Sequence, residues 1–237
     1  MKKIMALATL ALAVAFAISP AFTAPFTGFS ENQLPIPQID PPIQPEGYAF
    51  AIWGLIYAWL TISALYGLWK RADADDWHAA RIPLVVSFAV GVPWLAIANA
   101  SAIWATVAII AMAIGAILAL INAPERDRWL FQAPTAIYAG WLTAASWVSI
   151  ATTLAGYGIA FESFGWAITG IIAALITALT VFRVRRTAPE YLATVIWALV
   201  GIIVANGTAL LTISLLAAAG IAALLTAILT MRTSPTA

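Results

Sequence analysis

The sequence predicts an all-α protein, a polytopic membrane helix bundle of about eight transmembrane helices. Three observations carry this expectation. Of 237 residues, 63% are hydrophobic and only 9% are charged, against about 25% charged in soluble domains. The apolar residues form continuous runs of roughly 20, the length that crosses a hydrocarbon core, and they do not alternate as barrel strands would. The basic residues fall only between alternate runs. The mean hydropathy of +0.97 agrees. Such a composition excludes both a soluble globular domain and a disordered chain. The lack of cysteine excludes disulfides, thiolate zinc sites, iron–sulfur clusters and thiol catalysis. A net charge of +1 leaves no broad basic surface for nucleic acid.

The runs follow in order along the chain. Residues 4–22 form the first, behind Lys2 and Lys3. It reads as a retained anchor, because no small-x-small cleavage site follows it and the run is long for a signal core. Residues 23–47 contain Pro25, Pro35, Pro37, Pro41, Pro42 and Pro45, so this segment is not helical throughout and is expected to be extended. It is either a linker or a lid folded over the mouth of the bundle. The second run is 48–69. Residues 70–82 mix Lys70, Arg71, Asp73, Asp75, Asp76 and Arg81 and read as a solvated loop, with His78 an ordinary residue in it. The third run, 83–99, carries Pro93, which should kink it. The fourth, 102–121, has Ala111, Gly115 and Ala119 on a face suited to close helix packing. The fifth is 133–154 and the sixth 164–182. The stretch 191–231 is too long for one helix and divides near Asn206-Gly207 into a seventh and an eighth.

Charge placement supports this division. Lys and Arg favour the cytoplasmic side of a membrane protein. With a cytoplasmic N-terminus and eight spans, all eleven basic residues fall in cytoplasmic segments. Glu31, Asp40, Glu46 and Glu162 fall outside. Both termini are then cytoplasmic and the expected location is a bacterial inner membrane. Pro83, Pro134 and Pro189 would each open an outward-going helix, where a missing N–H leaves no bond unmade.

No span carries Asp, Glu, Lys or Arg near its centre, which argues against an ion-coupled pump. Intramembrane lysine is absent, so a retinal Schiff base is excluded, and a single histidine excludes a bis-histidine haem. No nucleophile–base pair assembles within the spans. Aromatic surface is what remains. Tyr48, Trp69, Trp104, Trp166 and Tyr191 fall at span ends and are expected in the interfacial belt. Deeper, Phe50, Trp53 and Tyr57 share one face of the second span. Tyr138, Trp141 and the small Ala145 form a stripe on the fifth, and Trp94 follows Pro93. Such stripes serve lipid or packing contacts, or they face one another and line a pocket for a flat apolar ligand. Asn99 is either a polar handle for that pocket or a helix C-cap.

These residues resemble a known family. Residues 45–57, from Pro45 through Phe50 and Trp53 to Tyr57, are similar to the start of the second helix in the translocator protein family, also called tryptophan-rich sensory proteins or TspO/MBR. Pro41, Pro42 and Pro45 sit where that family's loop prolines lie. Asn99 with Trp104 is similar to its third-helix Asn and Trp, and Pro134, Tyr138, Trp141 and Ala145 to its fifth-helix pattern. The resemblance implies a TspO/MBR-like five-helix core over 1–154, including the outer loop 23–47, followed by a three-helix extension over 155–237. It further implies a tetrapyrrole, porphyrin or haem-like, or a sterol-like lipid as ligand, no required cofactor, and a homodimer among membrane lipids. The ligand residues it implies are Phe50, Trp53, Tyr57, Trp94, Asn99, Tyr138, Trp141 and Ala145.

The expected function is therefore a membrane protein of the tryptophan-rich sensory type that binds a flat hydrophobic small molecule between helices. The alternative is a facilitator or transporter of an apolar or neutral solute. Photo-oxidative breakdown of a bound porphyrin and a purely scaffolding role are the further readings.

Overall fold

A computed structural model describes residues 1–232. Nine helices form among them: α1 (Lys2–Ile18), α2 (Ile52–Arg71), α3 (Asp75–Gly91), α4 (Trp94–Ala100), α5 (Ala102–Ile121), α6 (Ala133–Gly156), α7 (Ser163–Val184), α8 (Pro189–Asn206) and α9 (Leu211–Arg232). No strand occurs among the described residues. Helices α1, α2, α5, α7, α8 and α9 are long and apolar enough to cross a membrane. Helices α3 and α4 make one further pass, bent by 42° at the break before Trp94. Pro93 sits at that break as the N-cap of α4, because its ring excludes the N–H that would continue α3.

Helix α6 is less apolar than those six and is not among the candidate spans; it occupies the centre, packed against α5, α7 and α8. Of its 24 residues, 18 are buried, among them Thr135, Thr143, Ser146, Ser149, Thr152 and Thr153. These hydroxyls make it less apolar, and its neighbours shield them from lipid. Helix α1 packs on α2 and α3, while α8 and α9 close the far side. Glycines set two of the close approaches. A Cβ on Gly115 of α5 would lie 2.8 Å from the Pro83 carbonyl of α3. One on Gly140 of α6 would overlap the Tyr191 carbonyl of α8.

The charged residues gather at one end. Lys2 pairs with Asp75 at 2.6 Å, Arg71 with Asp127 at 2.6 Å, Arg126 with Asp76 at 2.7 Å, and Arg128 with Glu190. The start of α1 and the α2–α3, α5–α6 and α7–α8 connections therefore meet there, as the charge pattern anticipated. Asp127 is the centre of this end. Its carboxylate also accepts from Trp77 Nε1 at 3.1 Å and Tyr66 Oη at 3.3 Å. The Arg71 hydrogen bond above all holds this carboxyl below the usual carboxylate range, against the opposing effect of burial.

Three expectations are corrected at this end. Residues 70–82 are not a solvated loop: α3 begins at Asp75, with Asp75 and Asp76 in its first turn, where acidic side chains suit the helix dipole. Pro83 consequently lies inside α3 rather than at its start. Arg81 is buried, not solvated. Its guanidinium donates to the carbonyls of Gly67 at 2.8 Å and Arg71 at 3.0 Å in the last turn of α2, and the Arg71 carbonyl is one that the helix end leaves without an intrahelical partner. A further correction concerns Tyr191, expected in the interfacial belt. It is fully buried, and its hydroxyl lies 2.8 Å from Thr143 Oγ1 of α6. Tyr48, Trp69 and Trp104 are exposed as expected.

At the opposite end, residues 23–46 form a packed cover rather than a free linker. Leu34 and Ile43 are buried. Backbone bonds join Ile36 N to Gly156 O at 2.8 Å and Glu46 N to Gly201 O at 3.1 Å. Gln33 donates to Ala98 O at 2.8 Å, and Asn206 to Pro42 O at 2.8 Å. The cover thus bonds to α4, α6 and α8 together.

Candidate functional site

Beneath this cover, aromatic side chains from α1, α2, α4 and α6 converge. Phe50 precedes α2 in a short 3-10 turn, Gly47–Ala51. Trp53 and Tyr57, one helical turn apart on α2, stack with centroids 5.2 Å apart and planes at 21°. Trp141 of α6 meets Phe50 edge-on at 5.7 Å and Trp53 at 6.4 Å. The two stripes therefore face each other. Phe16 of α1 adds edge contacts to Tyr57 at 5.0 Å and Trp53 at 5.7 Å. Trp94 takes its position from the Pro93 break, and its indole N–H donates to Ala105 O at 3.0 Å. Phe26 of the cover rests edge-on against Trp94 at 5.3 Å, and Phe29 against Phe26 at 5.5 Å. Each such aromatic pair contributes about 0.5–1.5 kcal/mol beyond its burial.

These rings border a partly open cavity of about 200 Å³, whose lining includes Phe16, Phe50, Trp53, Tyr57, Trp94, Trp141 and Ala145. A smaller cavity of about 60 Å³ adjoins it toward the cover and shares Phe26, Phe50, Trp94, Ile109, Trp141 and Ala145. Ser149 and Thr152 of α6 and Gln44 of the cover line only the smaller one.

Six of the eight sequence-derived residues line the cavities: Phe50, Trp53, Tyr57, Trp94, Trp141 and Ala145. Tyr138 and Asn99 do not. Tyr138 lies one turn beyond Trp141 and is fully buried, with its hydroxyl 2.8 Å from Ser87 Oγ. Together with Phe88, which is also fully buried, it forms the packed layer under the cavity. Asn99 is exposed and donates to Ala24 O at 3.0 Å, so it anchors the cover. Sequence reasoning missed Phe16, Phe26, Phe29, Ser149 and Thr152. The last two had a signal: they continue the Trp141–Ala145 face of α6 at helical spacing. The phenylalanines had none, because Phe16 sits in a uniformly apolar run and the cover has no period.

The chemistry of the lining is plain. No Asp, Glu, Lys, Arg or His lines either cavity. No group of three His, Cys, Asp or Glu among the described residues is placed to hold a metal ion. The site offers ring faces, indole and phenol edges and a few hydroxyls. It is suited to hold a flat apolar molecule, and it carries no acid–base or nucleophilic pair.

A family model described as TSPO-like protein matches residues 3–230, nearly the whole chain and well beyond α6. Searches of curated proteins and of solved structures find no match.

Proposed function

Because this chain belongs to the TSPO-like family, we propose that it is a multi-pass membrane protein that binds a flat hydrophobic small molecule, of the tetrapyrrole or sterol kind, in the aromatic cavity under the 23–46 cover. The observation that carries this reading is the convergence of Phe50, Trp53 and Trp141, from opposite helices, on one largely apolar space. Packing alone would fill that space, since protein interiors leave few voids larger than a water molecule. In the closed form, about 200 Å³ admits a compact ring system. It is smaller than the roughly 300–1,000 Å³ of sites for drug-sized ligands. A whole tetrapyrrole therefore requires the cover to lift, beginning with Phe26 and Phe29.

Binding is favoured over passage because the layer of Phe16, Phe88 and Tyr138 beneath the cavity is buried and mutually packed. The gathering of basic residues at the other end supports a cytoplasmic location for that end and for both termini, in a bacterial inner membrane.

Titrating the purified protein with protoporphyrin, and following quenching of tryptophan fluorescence, tests the reading. A saturable site is expected, weakened at least about tenfold in the Trp53→Ala, Trp141→Ala double variant. An affinity unchanged by the double substitution would remove the cavity from consideration. Flux of the same ligand across proteoliposomes, if it scaled with protein content, would favour the facilitator instead.

A further inference from the structure

We propose that the part of the ligand held within these adjoining cavities is uncharged and carries one polar group, such as a ketone or amide carbonyl, that pairs with the Thr152 hydroxyl under the cover. The inference rests on the reading of the cavity as a ligand site and narrows its ligand class.

The polar atoms of the α6 face carry the argument. Ser149, Thr152 and Thr153 are all buried there. Ser149 Oγ and Thr153 Oγ1 both lie against Thr106 Oγ1 of α5, at 2.7 and 2.8 Å, and Thr106 also reaches the carbonyl of Ala102 at 2.9 Å. Those hydroxyls are committed to one another. Thr152 is 4% exposed, lines the smaller cavity, and its Oγ1 has no hydrogen-bond partner among the described residues. The usual local solution is not taken. Thr106, Thr143, Thr177 and Thr194 each bond the carbonyl four residues earlier, whereas Thr152 does not. A buried hydroxyl without a partner is costly and calls for an explanation. Here the residue lines a mostly apolar space, and a ligand atom entering it would supply the partner.

Charge completes the class. A carboxylate buried in this lining would find no cation among the residues of either cavity, and an unpaired buried charge is excluded at ordinary affinity. The ligand's polar group is therefore neutral. A carbonyl suits the site, because it can take the unused Thr152 proton.

Three flat probes of one ring skeleton test this: fluorene, 9-fluorenone and fluorene-9-carboxylate. Each is measured by equilibrium dialysis against proteoliposomes, with protein-free vesicles correcting for partition. The ketone is expected to bind about tenfold more tightly than fluorene, and the carboxylate more weakly than either. Thr152→Val, nearly isosteric, should abolish the ketone's advantage over fluorene. Thr152→Ala should do the same, and Thr152→Ser should keep the advantage. If fluorene binds but the ketone gains nothing, or gains equally in Thr152→Val, the Thr152 assignment is overturned while the cavity stands. Tighter binding of the carboxylate overturns the neutral-ligand class. If none of the three binds above partition, the ligand site and this inference fall together.

Discussion

Replacing Phe16 by alanine probes the floor of the cavity. The ring is 3% exposed and meets Tyr57, Trp53, Phe88 and Tyr138 at centroid distances of 5.0, 5.7, 5.9 and 5.9 Å. In a bilayer the unfolded reference is itself in hydrocarbon, so the transfer contribution to Phe→Ala largely cancels and the packing contribution remains. With about 24 cal/mol per Å³ and roughly 100 Å³ of side chain removed, the loss is about 2 kcal/mol. Four aromatic contacts at the low end of their range, about 0.5 kcal/mol each, give the same figure. Reversible unfolding in mixed micelles, followed by tryptophan fluorescence, reads this directly. A loss below about 0.5 kcal/mol would refute the packing described for α1, α2 and α3. The variant has a second consequence, because Phe16 also borders the cavity. The vacated volume should favour four-ring pyrene over three-ring fluorene by about fivefold relative to the parent protein. An unchanged ratio would mean that α1 closes the gap or that ligand binds elsewhere.

Two further predictions concern the scaffold. Gly140→Ala should destabilise by about 1–3 kcal/mol, since the added methyl meets the backbone of α8, which has no rotamer to yield. Gly54→Ala in α2, where nothing lies within 4 Å, should be neutral or stabilising by up to about 1 kcal/mol; equal effects in the two variants would contradict the α6–α8 approach. Asp127 sets an acid limit. Its folded carboxyl is held low, chiefly by the Arg71 hydrogen bond, so its contribution is complete above the unfolded value of about 4 and is lost as pH falls through the folded value. Unfolding measured from about pH 6 to pH 3 should show this loss. Asp127→Asn should flatten it, and a parallel slope in the variant would assign the effect to other carboxylates.

Much of this architecture is legible in the sequence, for a physical reason. Hydrocarbon demands long apolar runs, and the charged residues cannot follow them inside. The break at Pro93 comes from the proline ring, whereas the six long apolar helices and the segregation of Lys and Arg follow from that constraint. The boundary it marks is that of the membrane, however, and not of the helix. Helix α3 runs eight residues beyond Pro83 toward its N-terminus, because Trp77 and Arg81 are paired with Asp127 and with the end of α2. No local pattern announces such partners. The same applies to Tyr191, whose position at the edge of a run suggested lipid headgroups until Gly140 let α8 come close to α6. In the cavity, helical spacing supplied Trp53, Tyr57, Trp141 and Ala145. Phe26 and Phe29 stayed hidden because an irregular segment places its side chains through distant bonds, such as Gln33 to Ala98 and Asn206 to Pro42.

The hydroxyl-rich central helix carries a lesson for how the molecule is made. A segment with buried hydroxyls at Thr135, Thr143, Ser146, Ser149, Thr152 and Thr153 partitions poorly from an aqueous translocation channel into oil by itself. Its entry depends on sister segments that are already present, or that emerge from the ribosome soon afterwards. Assembly and insertion are then a single event for this part of the polypeptide, and a truncated protein ending at Gly156 would leave those groups without the neighbours that α7 and α8 supply.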